Sequence, residues 1–215
     1  MIIGFAGKAA SGKTTAAKFL LQQQGLVIEV LPMARALRDE VEDFIRQVGA
    51  ADKVPLVYGD QADKVRIFYI DQARAGKCCP QWDDFIQVNA DIQDRPGCSA
   101  VTVRRLLQWW GTEYRRAQDP DYWTKAWERN LAKYDLTTTH ILVDDVRFGN
   151  ELAVISKHGG VFVRIERPGF HGANDHSSEN SLDHVQDWDL VIHNDGSLAE
   201  FKEQITAQVL PLFQF

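Results

Sequence analysis

The chain has 215 residues, of which 45% are apolar and 25% are charged, and this balance indicates an ordinary globular protein. Its cysteines, Cys78, Cys79 and Cys98, are too few and too unevenly spaced for a disulfide framework or a four-ligand zinc site, so we interpret them as free thiols. The formal net charge of −6 disfavours sequence-independent attraction to a polyanion such as DNA, whereas a small anion needs only a local basic pocket.

The amino-terminal run MIIGFAG is apolar, but it is short, lacks a basic flank and leads into a glycine-rich turn. It therefore predicts a strand and not a signal peptide. No later apolar run approaches the length that crosses a bilayer. We expect a cytoplasmic protein without a membrane partner.

Strands predicted at residues 2–6 and 26–31 flank a helix predicted at residues 12–24, and a second helix follows at residues 35–48. A strand, a helix and a strand in this order predict a parallel pair with a right-handed crossover. For residues 49–100, short apolar stretches alternate with turn residues, and only short helices in an insertion are expected there.

The later elements alternate in the same manner. Helices are predicted at 101–111, 121–134, 150–158 and 198–210, and strands at 140–143, 161–165 and 190–192. The predicted fold is α/β, a doubly wound and mainly parallel five-stranded sheet within one domain of residues 1–215.

Residues 7–14, GKAASGKT, fit the phosphate-loop pattern G-x-x-x-x-G-K-[ST] at every fixed position. Small residues allow backbone N–H groups to surround phosphate oxygens, and the following helix adds its positive dipole end. Lys13 is expected to reach the β and γ phosphates of ATP, and the Thr14 hydroxyl to ligate Mg²⁺. The residues assigned to the triphosphate are Gly7, Ala10, Ser11, Gly12, Lys13, Thr14 and Thr15.

A carboxylate at the end of a buried strand is the second part of such a site, because it holds the hydration shell of Mg²⁺. Asp144 and Asp145 both follow the strand at 140–143, and successive strand residues face opposite ways, so only one can point to the phosphates. The sequence leaves open which one does. Arg147 lies two residues further on and suits a phosphate in transfer, with an ion pair to Asp145 as the alternative.

Several strings resemble the bacteriophage-type deoxynucleoside monophosphate kinases of the P-loop superfamily. In chain order they are Gly111-Thr112-Glu113 with Arg116, Asp119-Pro120-Asp121-Tyr122-Trp123, Asp145-Val146-Arg147-Phe148-x-Asn150-Glu151, Asp175-His176-Ser177-Ser178-Glu179 and Asp189-x-x-Ile192-x-Asn194-Asp195-Gly196-Ser197-Leu198. The resemblance implies an enzyme that uses ATP and Mg²⁺ to convert deoxynucleoside 5′-monophosphates to diphosphates, in the host cytoplasm if the source is viral. One departure is Arg115, where relatives often have glycine.

On this interpretation, residues at about 32–135 form a helical insertion that binds the acceptor, and residues at about 164–188 form a mobile lid. Expected catalytic residues are Lys13, Arg116, Asp145 and Arg147. The expected acceptor set is Arg35, Arg38, Trp110, Glu113, Arg116, Asp119, Trp123, Asp145, Arg147, Asn150 and Glu151.

Alternatives remain for parts of these sets. Arg35 and Arg38 could instead be helix-surface charges paired with Asp39 or Glu42. Trp110 and Trp123 are the better candidates for stacking on a base, whereas Trp109 and Trp127 are expected in a helix–helix core.

Arg164 and Arg167 are expected to close on ATP, and Asn194 and Gly196 to border its adenine. For His176 and Glu179, a hydrogen-bonded pair at a helix start and a catalytic role are both open. Aromatic helices are compatible with a homodimer.

Two other functions are open at this level. One is a kinase that acts on a hydroxymethylated pyrimidine base in DNA, which needs a basic groove and an unstacked base. The acidic net charge and the lack of a basic tail disfavour it. The other is a P-loop NTPase switch, for which no water-positioning residue or switch segment is evident.

Overall fold

The structure, a computed structural model, describes residues 1–169 and 180–214. The chain divides into two compact units, the first formed by Met1–Met33 with Thr124–Phe215 and the second by Ala34–Trp123. The strands of the described part are β1 (Ile2–Ala6), β2 (Ile28–Val30), β3 (Phe68–Asp71), β4 (Cys98–Val101), β5 (His140–Val146), β6 (Val161–Glu166) and β7 (Leu190–His193).

The α-helices are α1 (Lys13–Leu21), α2 (Arg35–Gln47), α3 (Pro55–Tyr58), α4 (Gln72–Cys78), α5 (Trp82–Val88), α6 (Val103–Trp109), α7 (Tyr122–Leu131), α8 (Gly149–Lys157) and α9 (Leu198–Gln204). Single 3₁₀ turns lie at Ala51–Lys53, Asp63–Val65 and Ala90–Ile92. A π-helix, Trp110–Arg116, continues α6, and a second one, Ile205–Val209, continues α9 into a 3₁₀ turn at Leu210–Gln214.

The first unit contains a five-stranded sheet in the order β2-β5-β1-β6-β7, and every neighbouring pair is parallel. From β1 the chain runs to β2 at one edge of the sheet, returns through the second unit to β5 beside β1, and then passes to β6 and β7 on the other side of β1. The strand order therefore reverses at β1, and ligands of open α/β sheets bind outside the carboxyl ends of the strands at such a switch point. The predicted five-stranded, doubly wound sheet is confirmed.

Both faces of this sheet are covered. Ile3 and Phe5 of β1 belong to one core together with residues of α1 and α9, and Ile2 and Ala6 belong to another together with residues of α7 and α8. Because side chains alternate between the two faces of a strand, β1 is buried on both sides and reads as a continuous apolar run. Burial of β1 fixes the position of the loop that follows it.

The second unit has its own core, in which aromatic rings pack on one another. Trp82 stacks on Phe85 with ring centroids 4.4 Å apart, and Trp109 meets both rings edge-on at 6.1 and 5.5 Å. The indole N–H of Trp82 donates to the Ser99 hydroxyl at 2.9 Å, so the buried polar atom is satisfied.

This unit differs from the prediction of short helices alone, because β3 and β4 form an antiparallel pair in the register Phe68↔Val101 to Asp71↔Cys98. Each strand has only four residues and is flanked by turn or cap residues, so neither carries a long period-two pattern. The three cysteines are free, as predicted. Within the described residues, no helix is long and apolar enough to span a bilayer.

Candidate functional site

The loop between β1 and α1 adopts backbone conformations that require glycine. Gly7 has a φ of 142° and Gly12 a φ of 116°. A Cβ atom on Gly7 would lie 2.3 Å from the Ile165 carbonyl oxygen, and one on Gly12 would lie 2.8 Å from the Asn194 amide nitrogen. The loop is thus folded tightly against the ends of β6 and β7, and both fixed glycines of the motif have a steric reason.

Lys13, in the first turn of α1, folds back over the loop. Its ammonium donates to the carbonyl oxygens of Gly7 at 2.6 Å and Lys8 at 2.7 Å, and the residue is buried. A buried cation held by backbone carbonyls is oriented by the loop before any ligand binds. The arrangement gives the concave face of the loop a fixed positive charge.

Ser11 and Asn194 lock the far side of the loop. The Asn194 side-chain amide donates to the Ser11 carbonyl at 2.8 Å, while the Asn194 backbone N–H donates to the Glu166 carbonyl at 2.7 Å. The Ser11 hydroxyl is buried and has no hydrogen-bond partner among the residues that the structure describes. An orphaned buried hydroxyl in a glycine-lined loop fits a site that is completed by the oxygen atoms of a ligand.

Asp144 and Asp145, at the carboxyl end of β5, have different partners. The Asp144 carboxylate accepts a hydrogen bond from the Thr14 hydroxyl at 2.9 Å, whereas Asp145 accepts one from the backbone N–H of Met33 at 2.7 Å. The two side chains point in opposite directions, as expected for neighbours in a strand. Asp144 therefore faces the phosphate loop, and Asp145 anchors the segment that follows β2.

A hydroxyl and a carboxylate are oxygen ligands of the kind that Mg²⁺ prefers, and the ion usually keeps several waters and binds substrate phosphates. Thr14 and Asp144 fit this donor set. Within residues 1–169 and 180–214, no group of three or more His, Cys, Asp or Glu residues is placed to hold a metal ion.

Beside the loop lies a small open pocket with two arginines in its wall. It is lined by Gly7, Lys8, Val146, Arg147, Arg164, Leu182 and Asp183. Lys8 forms an ion pair with Asp183 at 2.6 Å and donates to Asn180 at 2.9 Å. Through these two contacts, Lys8 connects the phosphate loop to the segment that begins at residue 180.

Arg164 and Arg167 differ in their surroundings. Arg164 lies over the Trp188 ring, with its guanidinium carbon 5.3 Å from the ring centroid, and contacts Glu166 at 3.2 Å. Arg167 donates to the Ala10 carbonyl at 3.3 Å and so reaches the phosphate loop directly. Phe170–Glu179, and with them His176 and Glu179 and the centre of the predicted lid, lie outside the described residues.

Glu151 and Gly196 both lie at the start of a helix. The Glu151 carboxylate is buried and accepts hydrogen bonds from the backbone N–H groups of Arg147 at 2.7 Å and Phe148 at 3.1 Å, which caps the start of α8. Asn150 lies in the first turn of the same helix. Gly196 precedes Ser197, the N-cap of α9, whose capping partner is Glu200. Glu151 thus caps a helix and Gly196 lies next to a helix cap, and the ligand contacts predicted for both stay predictions.

In the second unit, the π-helix is held by a carboxylate that the sequence did not single out. Glu40 of α2 accepts from the Trp110 indole N–H at 2.9 Å, from the Arg115 Nε at 2.8 Å and from the Tyr122 hydroxyl at 2.5 Å. Burial disfavours the charged form of Arg115, but the bond to Glu40 outweighs it and the pKa of Arg115 lies above its usual value. Arg115 is thus a structural side chain.

Arg116, next to it, donates to the Pro120 carbonyl at 3.3 Å. The Asp119 carboxylate accepts from the Asp121 N–H at 3.0 Å, which forms a turn before α7. Glu113 is exposed on the π-helix.

The predicted stacking role of Trp110 and Trp123 is not supported. Both are buried, with 5% and 3% of their surface exposed, and the Trp123 indole donates to the Gly111 carbonyl at 2.9 Å. The Trp110 ring packs on Phe44, with centroids 5.0 Å apart, so its face is covered within the unit. Trp109 and Trp127 are also buried, as predicted.

Arg35 and Arg38 make no ion pair among the described residues, so the alternative of pairing with Asp39 or Glu42 is wrong. Glu42 instead pairs with Arg46 at 2.6 Å and accepts a hydrogen bond from the Tyr58 hydroxyl. Burial, together with this bond to Glu42, raises the pKa of Tyr58 to about 12.

The switch-point sheet and its glycine-constrained loop, with a buried lysine and a threonine–aspartate pair, define a P-loop α/β protein. The family model of the deoxynucleotide monophosphate kinases matches residues 54–205, well over half of the chain. The chain belongs to this family. The phosphate loop precedes the matched segment, so its assignment depends on its own sequence and geometry.

Individual proteins are also similar to this chain in sequence or in structure. A candidate deoxynucleotide monophosphate kinase of Acanthamoeba polyphaga mimivirus is 26% identical over 97% of this chain and 96% of its own. The deoxynucleotide monophosphate kinases of Enterobacteria phage T4 and Escherichia phage RB69 are 34% and 31% identical over 48% of this chain, and over 44% and 43% of their own lengths. A crystal structure from Thermus thermophilus aligns with 99% of this chain and 97% of its own at a TM-score of 0.43 and 16% identity.

Proposed function

We propose that the protein transfers the terminal phosphoryl group of ATP to deoxynucleoside 5′-monophosphates. The observation that carries the proposal is the Thr14–Asp144 hydrogen bond, which joins the phosphate loop to the end of β5. Membership of the deoxynucleotide monophosphate kinase family supplies the reaction and the class of acceptor.

On the donor side, backbone N–H groups of the loop, the Ser11 hydroxyl and Lys13 bind the triphosphate. The loop carbonyls of Gly7 and Lys8 already hold the Lys13 ammonium, so little reorganisation is needed when phosphate oxygens arrive. Arg167, which donates to the Ala10 carbonyl, is the next candidate for a phosphate contact from the same side.

The loop threonine and Asp144 would hold Mg²⁺, which neutralises charge on the β and γ phosphates when it is bound. The directions of the two aspartates favour Asp144 for this role and give Asp145 a supporting one. Asp145 accepts a hydrogen bond from the backbone N–H of Met33. Met33 is the last residue before the second unit begins.

On the acceptor side, Arg116 and Arg147 are the proposed phosphate ligands, with Arg35 and Arg38 as further cations. Phosphoryl transfer asks a protein mainly to align two anions and to neutralise the moving charge, and arginine suits both tasks. The acceptor phosphate is ionised at neutral pH, so no separate general base is required.

The second unit is proposed as the acceptor-binding part, and residues at about 164–188 as a lid. A homodimer and a cytoplasmic location remain predictions. The acidic net charge of −6 disfavours a DNA acceptor.

An acceptor panel tests the proposal. The protein is incubated with ATP and Mg²⁺ and with each deoxynucleoside monophosphate, with hydroxymethylated DNA or with no acceptor, and products are separated by anion-exchange chromatography. Diphosphate formation from a free monophosphate is expected. Phosphate label on DNA, or ADP release that is independent of any acceptor, would contradict it.

A further inference from the structure

The Asp183 carboxylate lies against the phosphate loop, although it belongs to the segment that begins at residue 180. Its Oδ2 atom forms an ion pair with the Lys8 ammonium at 2.6 Å, and its Oδ1 atom lies 3.9 Å from Nη2 of Arg164. Together with Arg147, these residues line the small pocket beside Gly7. Counted over the described residues, the wall of this pocket carries three cations and one carboxylate.

The backbone around Asp183 is held independently of this ion pair. Leu182 is buried, and Trp188 packs against the same core, which lies between the sheet and the helices α7 and α8. Arg164 donates to the Leu182 carbonyl at 3.4 Å and lies over the Trp188 ring. The Asp183 N–H donates to the Asn180 carbonyl at 3.1 Å. Loss of the charge on Asp183 should therefore leave the segment in place.

Lys8 has a fixed backbone and a side chain that can turn. Its carbonyl accepts hydrogen bonds from the Lys13 ammonium at 2.7 Å and from the Ser11 N–H at 3.2 Å, so the backbone of Lys8 is part of the folded loop. The four-carbon side chain is flexible and ends in a compact charge with three donors. The ammonium can therefore turn from the carboxylate to a phosphate oxygen in the same pocket.

The ion pair between Lys8 and Asp183 should yield readily to a phosphate. The two side chains are 19% and 49% exposed, and an ion pair that water reaches contributes little to stability. A terminal phosphate carries more negative charge at neutral pH than a carboxylate does, so it attracts an ammonium more strongly at the same distance. A triphosphate that reaches this pocket should therefore take Lys8 from Asp183.

We propose that Asp183 is an internal competitor of the terminal phosphate of ATP. It holds the Lys8 ammonium as long as no triphosphate is bound, and Lys8 then passes to oxygen atoms of the γ phosphate. The inference rests on the proposed function, since it adds Lys8 to the residues that bind the donor. ADP lacks the γ phosphate, so Asp183 should keep Lys8 when ADP is bound. Asp183 thereby lowers the affinity for ATP and leaves that for ADP unchanged.

The test measures, by titration calorimetry with Mg²⁺, the Kd of ADP and of adenylyl imidodiphosphate, an ATP analogue that is not hydrolysed. Asp183→Asn should bind the analogue about twofold to fivefold more tightly and ADP with unchanged affinity. Glu203→Gln is the matched control, because Glu203 is an exposed residue of α9 without an ion pair in the described part of the chain. It removes the same charge and should bind both nucleotides as the unaltered protein does.

A double-mutant cycle assigns the effect to Lys8. Lys8→Gln should weaken binding of the analogue by about tenfold, because a charged donor to the γ phosphate is lost. In this background Asp183→Asn should no longer change the affinity, because the carboxylate acts only through Lys8. A gain in affinity that persists without the lysine would overturn the proposal.

Weaker binding of the analogue by Asp183→Asn would also overturn the proposal, because the carboxylate would then orient Lys8 toward the phosphate and not compete with it. The same holds for an unchanged affinity or for an equal gain with ADP. If Asp183→Asn does not fold by circular dichroism, Asp183→Ser removes the same charge and takes its place. An unaltered protein that phosphorylates no monophosphate would refute the proposed function, whereas normal transfer with unchanged analogue binding by Asp183→Asn would refute only the role of Asp183.

Discussion

The Thr14 hydroxyl lies 2.9 Å from the Asp144 carboxylate and donates a hydrogen bond to it. Thr14 belongs to the first turn of α1 and Asp144 to the carboxyl end of β5, which are 130 residues apart in the chain. β5 lies directly beside β1, and this pairing brings the second half of the motif to the loop. The same strand register turns Asp145 away, toward the Met33 backbone.

Substitution of the two aspartates should therefore have separate effects. Asp144→Asn should raise the Mg²⁺ concentration at half-maximal activity by about tenfold to a hundredfold, because the negative charge of the carboxylate is lost. Asp145→Ala should leave the Mg²⁺ requirement unchanged and lower the free energy of unfolding by about 1–3 kcal/mol, because the Met33 N–H loses its acceptor. Mg²⁺ titrations of activity and urea denaturation distinguish the two, and a reversed pattern would assign the metal to Asp145.

Lys13→Ala should lower kcat/KM by about a thousandfold or more, because a preorganised cation disappears from the site of developing charge. Lys18→Ala is the matched control, since Lys18 is an exposed lysine in the last turn of the same helix. It should retain full activity. Turnover by Lys13→Ala at the level of Lys18→Ala would refute the assignment of the phosphate loop.

Glu40→Gln should lower the free energy of unfolding by about 1.5–3 kcal/mol, because charge-assisted hydrogen bonds to Trp110, Arg115 and Tyr122 are weakened together. Glu42→Gln, on the same helix, loses a surface pair with Arg46 and should be affected far less. Chemical denaturation of both variants measures the difference. Equal losses would show that the Glu40 cluster does not organise the second unit.

Stability should fall as the pH is lowered through 6.5, and His140 should contribute to the slope. Burial, aided by the positive amino terminus, lowers the pKa of His140 below its ordinary value of 6.5. The unfolded chain then binds the proton first, so the free energy of unfolding decreases with falling pH until the folded-state pKa is passed.

His140→Gln removes this titration and should flatten the pH dependence of unfolding between pH 7 and the folded-state pKa. Thermal or urea unfolding at several pH values tests this. An unchanged slope in the variant would show that other groups cause the loss of stability.

The central sheet could be predicted from sequence because its strands are short apolar runs between turn residues, and β1 is buried on both faces. The pair β3 and β4 could not, because strands of four residues acquire their identity from the partner and not from a local pattern. The π-helix Trp110–Arg116 was likewise invisible, since its side chains continue a helical pattern and its register is set by tertiary contacts such as that of Arg115 with Glu40.

For the candidate site, the loop motif was explicit, whereas the choice between Asp144 and Asp145 needed the strand register. Trp110 and Trp123 were assigned to a base because aromatic clusters serve cores and stacking platforms equally well in a sequence. Only burial and the bonds to Glu40 and Gly111 separate the two uses.

The most direct test of the account is the stoichiometry of transfer, followed by ³¹P NMR of ATP, Mg²⁺ and a deoxynucleoside monophosphate with the unaltered protein. One deoxynucleoside diphosphate is expected for each ADP formed, and Lys13→Ala should form both products at least about a thousandfold more slowly. ADP and inorganic phosphate without a diphosphate product would contradict it.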